Sequence, residues 1–110
     1  MNQVRHYLDG CGRDPFAEWR KSLRDVKTRI AVDRSIMGLG LGNAGDHKHV
    51  RDGVWELRIH AGPGLRIYYG NSGRTVVVLL CGGDKRTQNA DIERACTYWQ
   101  DWQRRAGDER

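Results

Sequence analysis

Between Asp46 and Asp91 the chain is built of short runs of alternating apolar and polar residues, parted by glycine-rich turns. Strands joined by turns this short pair antiparallel, so the pattern constrains the fold to a meander. His47 to Val50 reads as a short strand, and Asp52-Gly53 is a hairpin signal. From Val54 to His60, Trp55, Leu57 and Ile59 fall on one face and Glu56, Arg58 and His60 on the other. Ala61-Gly62-Pro63-Gly64 turns the chain, and from Leu65 to Tyr69 the residues Arg66 and Tyr68 oppose Leu65, Ile67 and Tyr69. Gly70-Asn71-Ser72-Gly73 turns it again. Thr75 to Cys81 is apolar on both faces, as a central strand is, and Gly82-Gly83-Asp84-Lys85-Arg86 reads as a basic loop.

Helical periodicity flanks this meander. After a short strand expected within Gln3 to Leu8, Asp14-Pro15 is a helix start, with Asp as cap and Pro at the first helical position. Phe16, Trp19, Leu23, Val26, Ile30 and Met37 recur at three- and four-residue spacing and predict one apolar stripe. A second cap at Asp25 favours a helical hairpin or kinked pair over a single rod. Gly40-Leu41-Gly42-Asn43-Ala44-Gly45 matches G-x-G-x-x-G, but it follows a helix and leads into a strand, the reverse of a dinucleotide site. Ile92, Ala95, Cys96, Trp99 and Trp102 form the stripe of a last helix capped by Thr87 or Asn89. Gly107 is expected past its end, with residues 107–110 frayed. The expected fold class is α+β in the order β-αα-ββββ-α, a small antiparallel sheet with helices packed on one face. The other face, carrying Glu56, Arg58, His60, Arg66 and Tyr68, is expected to stay partly open.

At 110 residues the chain suits one domain spanning residues 1–110. Its net charge of +5 favours encounter with nucleic acid or an acidic protein. Cys11, Cys81 and Cys96 are odd in number and lack a C-x-x-C pair, which predicts reduced thiols. The polar start Met1-Asn2-Gln3-Val4-Arg5-His6 resembles no signal peptide, and no apolar run is long enough to span a membrane, so the expected location is the cytoplasm.

Arg58 and His60 share a strand face, and Arg66 and Tyr68 share the matching face of the next strand if the hairpin register holds. Lys48 and Arg51 come from the preceding hairpin, Lys85 and Arg86 from the basic loop. Such cations suit one phosphodiester. Metal-free RNA cleavage needs a base for the 2′-hydroxyl proton, cations for the phosphorane and an acid for the leaving oxygen. Arg58, Arg66 and Lys85 fit the second role, and His60 fits either proton role, because an imidazole titrates near neutral pH. The competing reading is a solvated charged face, with Arg58 paired to Glu56 or another carboxylate across strands. Spacing alone puts phosphate binding ahead of that reading and catalysis behind both. His47-x-His49 lacks a third ligand at metal spacing, so neither metal nor cofactor is expected.

Several segments together resemble a known family. They are Gly45-Asp46 with Lys48 and Val50, then Gly53 to Ile59, Gly62 to Tyr69, and Leu80 to Lys85 with Thr87-Gln88 and Asp91-Ile92. They look like the addiction-module killer proteins, the phage Gp49-like, HigB-type branch of the RelE/ParE toxin superfamily. The resemblance implies a curved antiparallel sheet flanked by helices and a partner antitoxin, usually with a helix-turn-helix domain. It also implies metal-independent cutting of mRNA on the ribosome. By motif position Arg58, Arg66 and Lys85 with Arg86 match the family's basic residues. Some RelE members carry a catalytic tyrosine early in the last helix, where this chain has Gln88-Asn89-Ala90-Asp91-Ile92, so His60 or Lys48 comes forward for the proton roles. A ParE-like toxin that binds gyrase without nuclease activity, and an inactive antitoxin-binding relative, are the alternatives.

Overall fold

The computed structural model describes residues 1–108. Its elements are β1 (Gln3–His6), α1 (Pro15–Ser22), α2 (Val26–Gly40), β2 (His47–Arg51), β3 (Val54–Ile59), β4 (Leu65–Ser72), β5 (Val76–Asp84), a 3-10 turn (Lys85–Thr87) and α3 (Gln88–Asp108). The α+β class and the order β-αα-ββββ-α are as expected. The five strands lie in the order β1-β5-β4-β3-β2. β2 to β5 pair antiparallel, and β1 joins the edge parallel to β5, with Gln3 opposite Val76, so the sheet is mixed.

Local chemistry explains the boundaries. The Asp14 carboxylate accepts from the Ala17 amide at 2.9 Å, and Pro15 opens α1. Asp25 caps α2 through the Lys27 amide and the Thr28 hydroxyl, which makes the helical pair two separate helices. Asp52 and Gly53 have φ of 53° and 84°, both left-handed, as a two-residue hairpin turn requires.

Three expectations change. The helices do not share one face. α1 and α2 cover Leu57, Ile59, Leu65, Ile67 and Tyr69. α3 lays Ala95, Cys96 and Trp99 on the opposite side, against Val54, Tyr68, Val78 and Leu80. The face expected to stay open is therefore largely a second core. The single stripe through both helices also breaks at Asp25, where the helical phase restarts. Phe16 is buried, but Val26, Ile30 and Met37 are exposed, and Thr28, Val32 and Leu39 carry the contact of α2 with the core.

The third change is at the basic loop. Gly82, Gly83 and Asp84 belong to β5. A Cβ on Gly82 would lie 2.3 Å from the Trp19 ring, and one on Gly83 1.8 Å from Asp91 Oδ2. Missing side chains here mark close packing on both faces of a strand rather than a flexible turn. Asp84 caps the 3-10 turn that leads into the last helix: it accepts from the Arg86 amide at 2.8 Å and forms a capping box with Thr87, and Thr87, one of the two expected caps, immediately precedes α3. Gly107 lies inside α3, and the expectation of fraying at residues 109 and 110 lies outside the described residues.

Candidate functional site

Register brings the site together. Arg58 on β3 lies directly opposite Arg66 on β4, which in turn lies opposite Gly83 on β5. One step along, Lys48 of β2 pairs with Glu56, Glu56 with Tyr68, and Tyr68 with Cys81. Cross-strand partners project from the same face, so a row of cations borders a row centred on one carboxylate.

Glu56 is fully buried. Its Oε1 accepts from Arg58 Nε at 3.2 Å, while Oε2 accepts from Gln88 Nε2 at 2.9 Å and the Tyr68 hydroxyl at 3.1 Å. Arg66 Nε stands 3.6 Å from the same Oε2. Burial alone would raise this carboxyl. The bonds from Gln88, Arg58 and Tyr68 and the Arg66 charge outweigh it and hold Glu56 below the usual carboxylate range. Two facing guanidiniums repel, and the charge beneath them offsets that repulsion. Arg66 is 13% exposed, its Nη1 donates to the Gly64 carbonyl at 3.3 Å, and its buried Nε has no hydrogen-bond acceptor. Arg58, at 36%, keeps more of its surface in solvent.

The remaining sequence candidates separate from this pair to different degrees. Tyr68 has no exposed surface, and its hydroxyl is committed to Glu56. Burial first, and the Glu56 charge next, push its ionisation far up, so it remains a hydroxyl donor. It lies beneath the surface rather than on it, which leaves no face for a bound substrate. His60 lies past the end of β3, 79% exposed, with Nε2 2.8 Å from Asp46 Oδ2. It shares no hydrogen bond or ion pair with Arg58, Arg66 or Lys85 among the described residues. Lys48 is exposed at the register position opposite Glu56. Arg51 turns toward α3, its Nε 3.5 Å from Cys96 Sγ. Lys85 is exposed on the 3-10 turn, and Arg86 beside it pairs with Asp84 at 3.1 Å. His47 and His49 instead flank Trp55, and His47 Nδ1 bonds the Gly45 carbonyl at 2.8 Å.

Sequence reasoning left out Gln88 as a site residue, along with the buried Asp91. Asp91 is 2% exposed, accepts from the Thr87 hydroxyl at 2.5 Å and pairs with Arg94. It borders a cleft of about 480 Å³ with Trp19, Leu23, Leu65, Gly82, Gly83 and Arg94. The signal for Glu56 was present: an acid on the same strand face as Arg58, opposite the strand carrying Arg66. Gln88 gave no such signal, because its partner is 32 residues away. Among the described residues no helix is long and apolar enough to cross a membrane.

The fold and site define a small α+β protein with a mixed five-stranded sheet and a carboxylate buried under a cross-strand arginine pair. The family model described as Phage derived protein Gp49-like (DUF891) matches residues 25–97, and the chain belongs to that family, which is associated with the toxins of toxin–antitoxin modules. The chain is also similar to a Haemophilus influenzae (strain ATCC 51907 / DSM 11121 / KW20 / Rd) protein described as an uncharacterized protein. The two are 44% identical over 80 residues, covering 73% of this chain and 81% of the relative.

Proposed function

We propose that this protein is the toxin of a type II toxin–antitoxin module, HigB-like within the RelE/ParE superfamily, and that it cuts mRNA on the ribosome without a metal. The cognate partner is a helix-turn-helix antitoxin. The observation that carries the reading is the Arg58–Arg66 pair over buried Glu56. Two guanidiniums opposite each other are a poor arrangement for stability alone, and a good one for a trigonal-bipyramidal phosphorane.

In this mechanism Arg58 and Arg66 stabilise the charge that builds on the phosphoryl oxygens as the 2′-oxygen attacks phosphorus. Lys85 and Arg86 hold the flanking backbone. His60 or Lys48 takes the 2′-hydroxyl proton, and a second group returns a proton to the departing 5′-oxygen. The family membership and the net charge of +5 support a ribosomal, RNA-rich target.

The test is to add purified protein to translating ribosomes and map mRNA 5′ ends. New ends that vanish with Arg58→Ala are expected. Intact mRNA with inhibited gyrase would replace this reading by the gyrase-binding one.

A further inference from the structure

Among the described residues Glu56 alone bonds β3, β4 and α3 at one point: Arg58 of its own strand, Tyr68 of β4 and Gln88 of α3 all donate to it. It has no exposed surface, so it cannot touch a substrate. It can act only through the arginines above it. We infer that Glu56, held by Gln88 and Tyr68, is a positioning residue for phosphate recognition by Arg58 and Arg66, aiming both guanidiniums and cancelling one of their two charges. This rests on the reading of the site as an RNA-cleaving one.

The geometry gives each partner a distinct part. Glu56 Oε1 occupies Arg58 Nε, and the two terminal nitrogens of this part-exposed side chain make no hydrogen bond among the described residues, which leaves them for a ligand. Arg66 is held at both ends, by the Gly64 carbonyl at Nη1 and by Coulomb attraction to Glu56 at Nε. Its Nε lacks a hydrogen-bond acceptor, which leaves one buried donor of the pair unsatisfied until an anion or a small shift of the carboxylate meets it. Gln88 closes the carboxylate from the first turn of α3. Thus the start of the helix is tied to the aim of residues on two strands. A carboxylate in this place costs phosphate affinity, because it neutralises a cation the phosphate would otherwise meet. In exchange it fixes orientation, on which the chemical step depends more steeply. The signature is therefore a split between binding and rate, in opposite directions.

The experiment uses the full chain, a single-stranded RNA oligonucleotide for binding, and mRNA on translating ribosomes for cleavage. Glu56→Gln is expected to bind the oligonucleotide several-fold more tightly. Its salt slope should steepen by about 0.7, one further phosphate contact. Its cleavage should slow by about tenfold or more. Gln88→Ala keeps the charge and sits at the surface end of the network, so it should bind within about twofold of wild type and still cut several-fold more slowly. Combined with Glu56→Gln it should add little further loss, because both act through the same arginines. Parallel weakening of binding and cleavage in Glu56→Gln would mark the residue as structural and overturn the inference, as would unchanged values for both. If Glu56→Gln does not fold, Gln88→Ala decides: unaltered cleavage overturns the inference. A wild-type protein that neither binds nor cuts RNA brings down the functional reading first and this inference with it, a result distinguishable from failure of the variants alone.

Discussion

Arg66 and Arg58 differ in what their removal costs. Arg66 is mostly buried against Glu56, so Arg66→Ala leaves that buried carboxylate short of one counter-charge. The expected loss is about 1–3 kcal/mol of stability, since three hydrogen bonds to Glu56 remain. Arg58→Ala takes away a more exposed group and should cost less stability, yet at least about a hundredfold in cleavage. Chemical denaturation beside the mRNA cleavage assay separates the two effects. Arg66→Lys should restore stability better than activity, because lysine lacks the planar fork. Glu56 also sets a pH dependence. Its folded ionisation lies below its unfolded value of about 4.3, so its contribution is full above that pH and is lost as pH falls through the folded value. Unfolding midpoints should therefore drop below about pH 4, and Glu56→Gln should flatten that acid limb. A limb unchanged in the variant would show that other carboxylates govern it.

At the scale of elements, the end of β5 and the start of α3 form one unit. The strand's extra residue near Leu80, where Tyr68 pairs with Cys81 but Tyr69 with Leu79, shifts the face on which each later residue points. That shift sends Gly82 to Trp19 and Gly83 to Asp91. Gly83→Ala must push the Asp91 carboxylate aside, and with it the bonds to Thr87 and Arg94. The expected cost is about 1–3 kcal/mol. Because Gln88 rides on the same turn, cleavage should fall as well. Asp84→Ala removes the cap of the 3-10 turn and should cost about 0.5–2 kcal/mol. Thermal melts of both variants check these values; wild-type stability in Gly83→Ala would mean that Asp91 has room to move.

For the whole molecule, the expectations concern charge and partner. RNA affinity should fall with salt at a slope of about 0.7 for each phosphate neutralised, and a flat dependence would remove the phosphate-binding reading. Expression without the partner should arrest growth, and co-expression of a neighbouring helix-turn-helix protein should relieve it. Unimpaired growth with soluble protein confirmed in the cells would leave the chain as an inactive relative.

Much of this protein was legible in order along the chain, because turns, caps and alternation are local. Asp14-Pro15, Asp25 and Asp52-Gly53 each act within a few residues of their own position, and the structure uses each as its chemistry predicts. Alternation likewise placed Arg58 and Arg66 on one face, because side chains along a strand have a period of two. What required the tertiary structure was which face each helix covers. An amphipathic stripe states that a helix buries one side, not against which side of the sheet, and only the packed α3 shows that the polar strand face lies under a second core. The same limit hid the state of Glu56. A sequence shows an acid among cations, but its burial and its bond to Gln88 depend on a contact across 32 residues that only folding makes. The arginine pair belongs to the pattern of the chain; the carboxylate that aims it belongs to the packing.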